Sequence, residues 1–410
     1  MWGAYLFQLT NLVAAMLIVP VLLLRLGADE YALWLLFASI MGAATQVQNG
    51  IQGVAVKQIA IGFHLGDRED FLSEIGRAQR HYRLFAFIIL GPVLILTTLY
   101  FQLTQNISHE NTVAWLILIT SYAISYVYTP NNVILMATDR VGLNGTINTI
   151  SRLIFFLLTV LIIYYYPSLV APCVALSVAV VSGAGLNTLY ARRQVARFFP
   201  DRISFPIPAY RGNVRKYTAF TFSSFMLYTG ALTIIAPLFP DRTASYGLAL
   251  QMSALTATMS IVPAQVWLAR LVRSNHHGAQ RELRLTLVVC NGLFLLGYGS
   301  ILALAPILLR LIGADITLPG TGVLILMGTA FLVELNIAVL ANHLTASADY
   351  SFAVRCAIVA AATLTAGTII AALSGLVWLG FLVVPTLVQA VYTLPFMFRK
   401  ILKLRDISTV

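Results

Sequence analysis

Basic residues at matching places in the two halves of the sequence are its most suggestive chemical feature. Lys57 and Arg270 each end an apolar segment, and the two segments begin with similar motifs, Tyr31-Ala-Leu-Trp and Tyr246-Gly-Leu-Ala. Two cations at equivalent ends suit an anionic ligand, because charge-assisted hydrogen bonds are stronger than neutral ones. The alternative is that both residues only anchor their segments, with long side chains that reach toward water.

Two ionisable residues lie inside apolar segments, where a charge is costly. Arg152 is near the middle of the fifth segment, and Glu334 in the tenth is the only acidic residue deep in a segment. The functional interpretation is contact with an anionic ligand for Arg152 and proton or cation coupling for Glu334. The alternative is a buried structural pair, either with each other or with local polar groups.

Three further cations and two amides are also candidates for ligand binding. Arg273 stands three residues beyond the second of the paired cations, and Arg25 and Arg242 lie in the first predicted turn of each half. Asn11 and Asn49 lie in apolar segments, where their amides either bind a polar ligand or hold neighbouring helices together. For the two turn arginines the alternative is an interfacial salt bridge with Asp29, Glu30 or Asp241.

Twelve apolar stretches must position these residues. Hydrophobic residues make up 59% of the sequence and charged residues 10%, and the mean hydropathy of +0.85 lies outside the range of soluble domains. An apolar helix of about 20 residues crosses the hydrocarbon core of a bilayer, so the pattern predicts an all-α polytopic membrane protein. The predicted spans are 4–25, 32–56, 84–103, 113–137, 142–165, 169–190, 217–239, 244–269, 286–309, 318–342, 351–373 and 376–398.

The positions of the basic residues predict the topology. Of the 26 Lys and Arg residues, only Arg25, Arg242 and Arg310 fall on predicted outside connections, and Arg152 falls within a span. By the positive-inside rule this asymmetry places both termini in the cytoplasm. The net charge of +11 is therefore a topology signal that also attracts anionic lipid headgroups, and the pattern does not suggest nucleic-acid binding.

A basic, proline-containing segment, 191–216, divides the chain into six spans and six spans. The predicted organisation is an N-lobe at 1–190, this cytoplasmic linker, and a C-lobe at 217–410 that ends in a short basic tail. An even number of spans in each half makes the two lobes a parallel repeat. Such repeats are typical of transporters that bind their substrate between the lobes.

Local motifs add a resemblance to a known family. Asn11 and Pro20 lie in the first span, the first outside turn contains Leu26-Gly-Ala-Asp-Glu-Tyr-Ala-Leu-Trp, and the second span contains Asn49-Gly-Ile-Gln-Gly-Val-Ala-Val-Lys-Gln-Ile-Ala. Over most of its length the chain resembles the polysaccharide or O-antigen unit flippases, often called Wzx-like, of the multidrug/oligosaccharidyl-lipid/polysaccharide exporter superfamily.

The resemblance implies a transporter that is not an enzyme. It would turn over an undecaprenyl-pyrophosphate-linked oligosaccharide from the inner to the outer leaflet of the bacterial cytoplasmic membrane by alternating access. A cationic cavity between the lobes, lined mainly by spans 1, 2, 7 and 8, would hold the pyrophosphate. The implied partners are this substrate, membrane lipids and the polysaccharide polymerase machinery, and no cofactor is implied.

Two other functions remain open. A cation-coupled multidrug exporter of the same superfamily is favoured by Glu334, but many such exporters have an acidic residue in the first span, where this chain has Asn11. A polyprenyl-sugar polymerase or glycosyltransferase would need large outside loops, whereas the predicted outside connections are short. The sequence has no metal-ligand spacing, glycine-rich phosphate loop or nucleophile motif, so it favours neither an enzyme nor direct ATP drive.

Overall fold

A computed structural model describes residues 2–66, 68–104, 107–138, 140–198, 212–264, 276–312, 318–346 and 349–407. These described residues form helices and no strands. Ten helical stretches among them are long and apolar enough to cross a membrane, and the first helix adds two segments that are joined at a kink. The prediction of an all-α polytopic membrane protein is confirmed, while the side of the membrane on which each terminus lies stays a prediction.

The first unit of the chain is Met1–Thr218. Its first helix has a break at Gly27, whose φ of 79° and ψ of 175° are readily adopted by a residue without a Cβ. A π-helical turn at Ile89–Val93 contains Pro92, which lacks an N–H for the normal helical bond. The helices are α1 (Trp2–Leu65), α2 (Arg68–Ile88), α3 (Leu94–Thr104), α4 (His109–Ala137), α5 (Val141–Tyr165) and α6 (Val170–Phe198).

Aromatic rings and small residues pack the first unit. Phe37, Phe101 and Trp115 are buried, and their ring centres lie 5.0 to 5.1 Å apart in edge-on or tilted pairs. Each such pair adds about 1 kcal/mol beyond the burial of its area. A Cβ on Gly183 of α6 would lie only 2.5 Å from Ser151 Oγ of α5. The absence of a side chain there lets α5 and α6 approach closely, as in other membrane helices.

The second unit is Ala219–Val410. Helix α7 begins in the first unit and ends in the second. A Cβ on Gly367 would overlap the carbonyl group of Gly380, and a Cβ on Gly380 would overlap that of Gly367. Two π-helical turns, Leu379–Val383 and Gln389–Thr393, interrupt the last span. The helices are α7 (Gly212–Tyr228), α8 (Leu232–Leu238), α9 (Pro240–Ser260), α10 (His276–Ile312), α11 (Thr321–Ala346), α12 (Ser351–Ser374), α13 (Val384–Val388) and α14 (Leu394–Ile407).

Several helices extend beyond the predicted spans. The helix after Gly27 continues to Leu65 rather than ending at 56, so Lys57 lies about two turns before the helix end. The third predicted span starts at 84, but α2 already begins at Arg68. At the predicted linker, α6 continues to Phe198 and α7 begins at Gly212. Polar residues with good helix propensity extend a helix past the hydrocarbon core. A prediction based on apolar residues cannot detect such extensions.

Candidate functional site

Arg152 lies in the middle of α5, within the first unit, on an aromatic platform. Its guanidinium carbon is 4.9 Å from the centre of the Phe155 ring. Phe155 in turn stacks with Trp34 of α1, with ring centres 6.5 Å apart and planes 19° from parallel. The tyrosine ring of Tyr122, on α4, is also close enough to interact electrostatically with the guanidinium. Three helices of the first unit therefore form the surroundings of this cation.

No anion neutralises Arg152 in the described part of the chain. Its Nε atom is buried without a hydrogen-bond partner, and none of the described carboxylates forms an ion pair with it. A charge at the centre of a membrane costs about 3 kcal/mol, and a desolvated cation–π contact returns about 2 kcal/mol. The aromatic contact thus holds the guanidinium in place without neutralising its charge. Such a cation is suited to bind an anionic group.

Glu334 of α11 is the corresponding acidic group of the second unit. The Ser224 hydroxyl of α7 lies close to its carboxylate, and Oε2 is buried without a hydrogen-bond partner. Tyr228 of α7 and Cys356 of α12 are close enough to interact with it electrostatically. Among the described residues, no Lys or Arg forms an ion pair with Glu334. A carboxylate with one free oxygen and a hydroxyl neighbour is suited to bind a proton or a small cation.

The structural alternative for these two residues was a buried pair, either with each other or with local polar groups. Arg152 belongs to the first unit and Glu334 to the second. Among the local polar groups, the Ser224 hydroxyl lies close to the Glu334 carboxylate. Arg152 is stabilised by aromatic rings instead of hydrogen bonds.

Asn49 and Lys57 lie on one side of α1. They are eight residues apart, which corresponds to about 12 Å along the helix, and Gly53 lies between them. Asn49 is exposed and donates a hydrogen bond of 3.4 Å to Gln46 Oε1, whereas Lys57 is half-buried. A Cβ on Gly53 would lie 2.7 Å from the Tyr217 ring, so the start of α7 packs against this side of α1.

Arg25 and Arg242, which the sequence predicts on outside connections, are exposed. The Arg25 guanidinium lies 5.2 Å from the centre of the Tyr164 ring, on a tyrosine that is 63% exposed. Arg242 lies in the first turn of α9. Neither forms an ion pair with any described carboxylate, including those offered as the alternative partners. The contact of Arg25 with Tyr164 is typical of an aromatic belt at a membrane surface.

Three candidates cannot be placed. Arg270 and Arg273 lie in 265–275, outside the described residues, and only the backbone of Asn11 is described. The proposed pairing of Lys57 with Arg270 therefore stays a prediction.

One charged cluster was missed by the sequence interpretation. Glu74 and Arg77 of α2 form an ion pair with an N–O distance of 2.5 Å, and their side chains are only 4% and 12% exposed. Together with Gln58 and His81 they line a cavity of about 20 Å³, which has room for one water molecule. The spacing of three residues between opposite charges was a usable signal, but it occurs in a stretch that was interpreted only as cytoplasmic.

Comparisons with known proteins give the fold its name. No family model matches the chain, and no curated protein matches its sequence. A solved structure of a multidrug resistance MATE family transporter of the MOP superfamily in an inward-facing conformation matches with a TM-score of 0.65. It is 13% identical, and the match covers 97% of this chain and 96% of that one. This chain has the MATE fold.

Other MATE-fold structures match equally well. An outward-facing conformation of a multidrug resistance MATE family transporter matches with a TM-score of 0.66 at 12% identity, over 98% of this chain and 95% of that one. A MOP superfamily transporter from Pyrococcus furiosus matches with a TM-score of 0.63 at 12% identity, over 98% and 94%. At this level of identity the likeness establishes the MATE fold, and function must be argued from the residues of the site.

Proposed function

We propose that this chain is a flippase that moves an undecaprenyl-pyrophosphate-linked oligosaccharide from the inner to the outer leaflet of the bacterial cytoplasmic membrane. The observation that carries the proposal is Arg152, a guanidinium in the middle of a membrane helix with no described counter-ion. An anionic ligand would neutralise this charge, whereas a cationic drug would be repelled by it. The flipped unit would then be available to the polysaccharide polymerase machinery.

The physical problem of such transport matches the residues present. A pyrophosphate and a hydrated sugar cannot cross hydrocarbon unaided, because their polar groups would lose their hydrogen bonds with water. An arginine binds phosphate oxygens with two parallel N–H groups, and aromatic rings beneath it fix the plane of the guanidinium. Arg152 on Phe155 and Trp34 has this arrangement.

The polar side of α1 extends the proposed site toward the predicted inner surface. Asn49 offers an exposed amide for sugar hydroxyls, and Lys57 offers a second cation. Asn11, Arg270 and Arg273 are proposed to contribute further polar contacts, and Arg25 and Arg242 to lie at the outer opening. Several cations along one path suit a substrate that carries two phosphate groups.

The MATE fold supports an alternating-access mechanism. Multidrug resistance MATE family transporters of this fold have been solved in inward-facing and outward-facing conformations. We propose that Glu334 couples the same change in this chain to an ion gradient by binding and releasing a proton or a small cation. A permanent charge at that depth without a fixed partner would be costly, so exchange of its charge state is physically reasonable.

A cation-coupled multidrug exporter is the second candidate. The matching transporters described as multidrug resistance proteins and the buried Glu334 favour it. However, the transporter from Pyrococcus furiosus is described as having a binding pocket of reverse polarity that suggests a different function. The same fold is thus compatible with pockets of different charge, and the uncompensated Arg152 favours an anionic substrate here.

Transport by the purified protein in vesicles distinguishes the two candidates. One assay follows a fluorescent polyprenyl-pyrophosphate disaccharide as it becomes accessible to a membrane-impermeant quencher, and the other follows extrusion of a cationic dye. We expect the wild-type protein to flip the anionic lipid and not to extrude the dye. The Arg152→Met variant should flip at least tenfold more slowly, because hydrogen bonds to a charged group are worth about 1.5 to 3 kcal/mol. Dye extrusion by the wild-type protein, unchanged by Arg152→Met, would overturn the flippase proposal.

A further inference from the structure

A second arginine that contacts aromatic rings lies in the second unit, near the start of a span. Arg355 is in the second turn of α12, and its Nε donates a hydrogen bond of 2.6 Å to the Tyr392 hydroxyl. Its guanidinium carbon is 5.3 Å from the centre of the Tyr392 ring and 4.5 Å from that of Phe396. These two rings are nearly parallel, 13° apart, with centres separated by 6.4 Å. The guanidinium is therefore fixed in position before any ligand arrives.

The remaining N–H groups of Arg355 point to no described partner. An arginine has five N–H donors, and only the Nε bond to Tyr392 occurs among the described residues. None of the described carboxylates forms an ion pair with Arg355, and the side chain is exposed. The fork of donors that normally recognises a carboxylate or a phosphate is thus available.

The neighbouring lysine carries no uncompensated charge. Lys400 of α14 forms an ion pair of 3.2 Å with Asp349. Partial burial raises the pKa of the Asp349 carboxyl, but hydrogen bonds from Ser351 and Lys400 outweigh it and leave the pKa below its usual value. The Ser351 backbone N–H and hydroxyl donate these bonds at 2.9 and 2.7 Å. The pair is consequently ionised and carries no net charge, so Lys400 does not add to the positive charge of Arg355.

The site lies where a membrane span meets water. Arg355 is near the start of the Ser351–Ser374 span, and Tyr392 and Phe396 are in the second half of the Leu379–Leu402 span. Exposed apolar side chains surround it on the same helices: Ile358 is 65% exposed and Val391 is 73% exposed. Ile358 is about 4.5 Å deeper along α12 than Arg355. A surface of this kind presents a cation at headgroup depth beside side chains that contact acyl chains.

We propose that Arg355, held by Tyr392 and Phe396, binds the phosphodiester headgroup of an anionic phospholipid in the surrounding leaflet. The guanidinium fork matches two phosphate oxygens, and the acyl chains of the same lipid cover the exposed apolar side chains. Because the aromatic rings already fix the side chain, little rotamer freedom is lost on binding. Anionic headgroups are also concentrated near basic residues at the membrane surface. This site is independent of the substrate that the chain transports.

Lipid binding to the purified full-length protein tests the proposal. Native mass spectrometry of the detergent-solubilised protein counts bound lipids during titration with phosphatidylglycerol, with phosphatidylcholine of the same acyl chains, or with inorganic phosphate. We expect a saturable phosphatidylglycerol site that phosphatidylcholine fills at least tenfold more weakly. Arg355→Ala should lower the phosphatidylglycerol affinity about tenfold or more. Arg355→Lys should lower it nearly as much, because a lysine lacks the planar fork.

Two further variants protect the test against misfolding and non-specific attraction. Arg399→Ala removes an exposed cation from α14, the helix that carries Phe396. Arg399 has no described ion-pair partner, and its removal should leave the affinity unchanged. Tyr392→Phe removes only the hydroxyl that accepts from Nε and should weaken binding less than Arg355→Ala. Equal losses for Arg355→Ala and Arg399→Ala would mean only diffuse attraction by net charge and would overturn the proposal. Binding of inorganic phosphate as strong as that of phosphatidylglycerol would exclude the lipid as the ligand.

Discussion

Replacement of Arg152 by methionine should stabilise the protein while impairing transport. The unpaired charge costs about 3 kcal/mol at the membrane centre, and the contact with Phe155 returns about 2 kcal/mol. Methionine has a similar length and no charge, and it keeps a favourable sulfur–aromatic contact of about 1 kcal/mol. The free energy of unfolding should therefore rise by about 1 to 2 kcal/mol in Arg152→Met.

The opposite result is expected for a buried arginine that has its partner. Arg77 of the same unit is paired with the buried Glu74 at 2.5 Å, so Arg77→Met removes one charge of a buried ion pair. Breaking a buried pair in this way costs about 3 to 5 kcal/mol. The two variants make the same chemical change in one unit, and their opposite signs isolate the effect of the missing counter-ion.

Thermal unfolding of the purified variants in detergent measures both effects. For a unit of roughly 200 residues, 1 kcal/mol corresponds to about 2 to 4 °C in Tm. We expect Arg152→Met to unfold a few degrees above the wild-type protein and Arg77→Met to unfold about 10 °C below it. If Arg152→Met instead lost stability as Arg77→Met does, Arg152 would be a structural ion-pair or hydrogen-bond partner, and its proposed role in substrate binding would be wrong.

Three further predictions concern coupling, the second cation and helix packing. Glu334→Gln should fold normally but lose the dependence of transport on an ion gradient, and equally gradient-dependent transport in vesicles would reject a coupling role. In a flippase-null cell, Lys57→Ala should restore less surface polysaccharide than the wild-type gene, and Lys57→Arg should restore an intermediate amount. If both variants reached normal levels in the membrane and restored the polysaccharide fully, Lys57 would only anchor its helix. Gly367→Ala should lower stability by about 1 to 3 kcal/mol in thermal unfolding, because its Cβ overlaps the Gly380 carbonyl. Gly299→Ala, which meets open space in α10, is the matched control and should gain up to about 1 kcal/mol from helix propensity.

The helices were predictable because the bilayer sets their length. About 20 apolar residues are needed to cross the hydrocarbon core, so each apolar run marked a span even without knowledge of its neighbours. The boundaries were less predictable at the charged ends: the helix after Gly27 continues past Lys57, and α2 begins at Arg68. Outside the hydrocarbon core, water can bind the backbone N–H and C=O groups of a loop, so these end turns need not be helical. Hydropathy therefore does not show where each helix ends.

The candidate site was predictable only as a set of unusual residues. Arg152 and Glu334 stood out because an ionisable side chain in hydrocarbon is costly wherever it occurs. The sequence left open whether they pair with each other. The structure places Phe155 under Arg152 and Ser224 beside Glu334.

The sequence by itself determined the all-α membrane architecture and identified the ionisable residues that are costly to place in a membrane. Both follow from the free energy of transferring side chains between water and hydrocarbon. Only the tertiary structure decided which groups those residues meet. Trp34 reaches the platform of Arg152 from α1, and Tyr392 reaches Arg355 from the last span. Such partners lie on different helices, and the rotation and approach of each helix depend on packing against its neighbours, which no local pattern encodes.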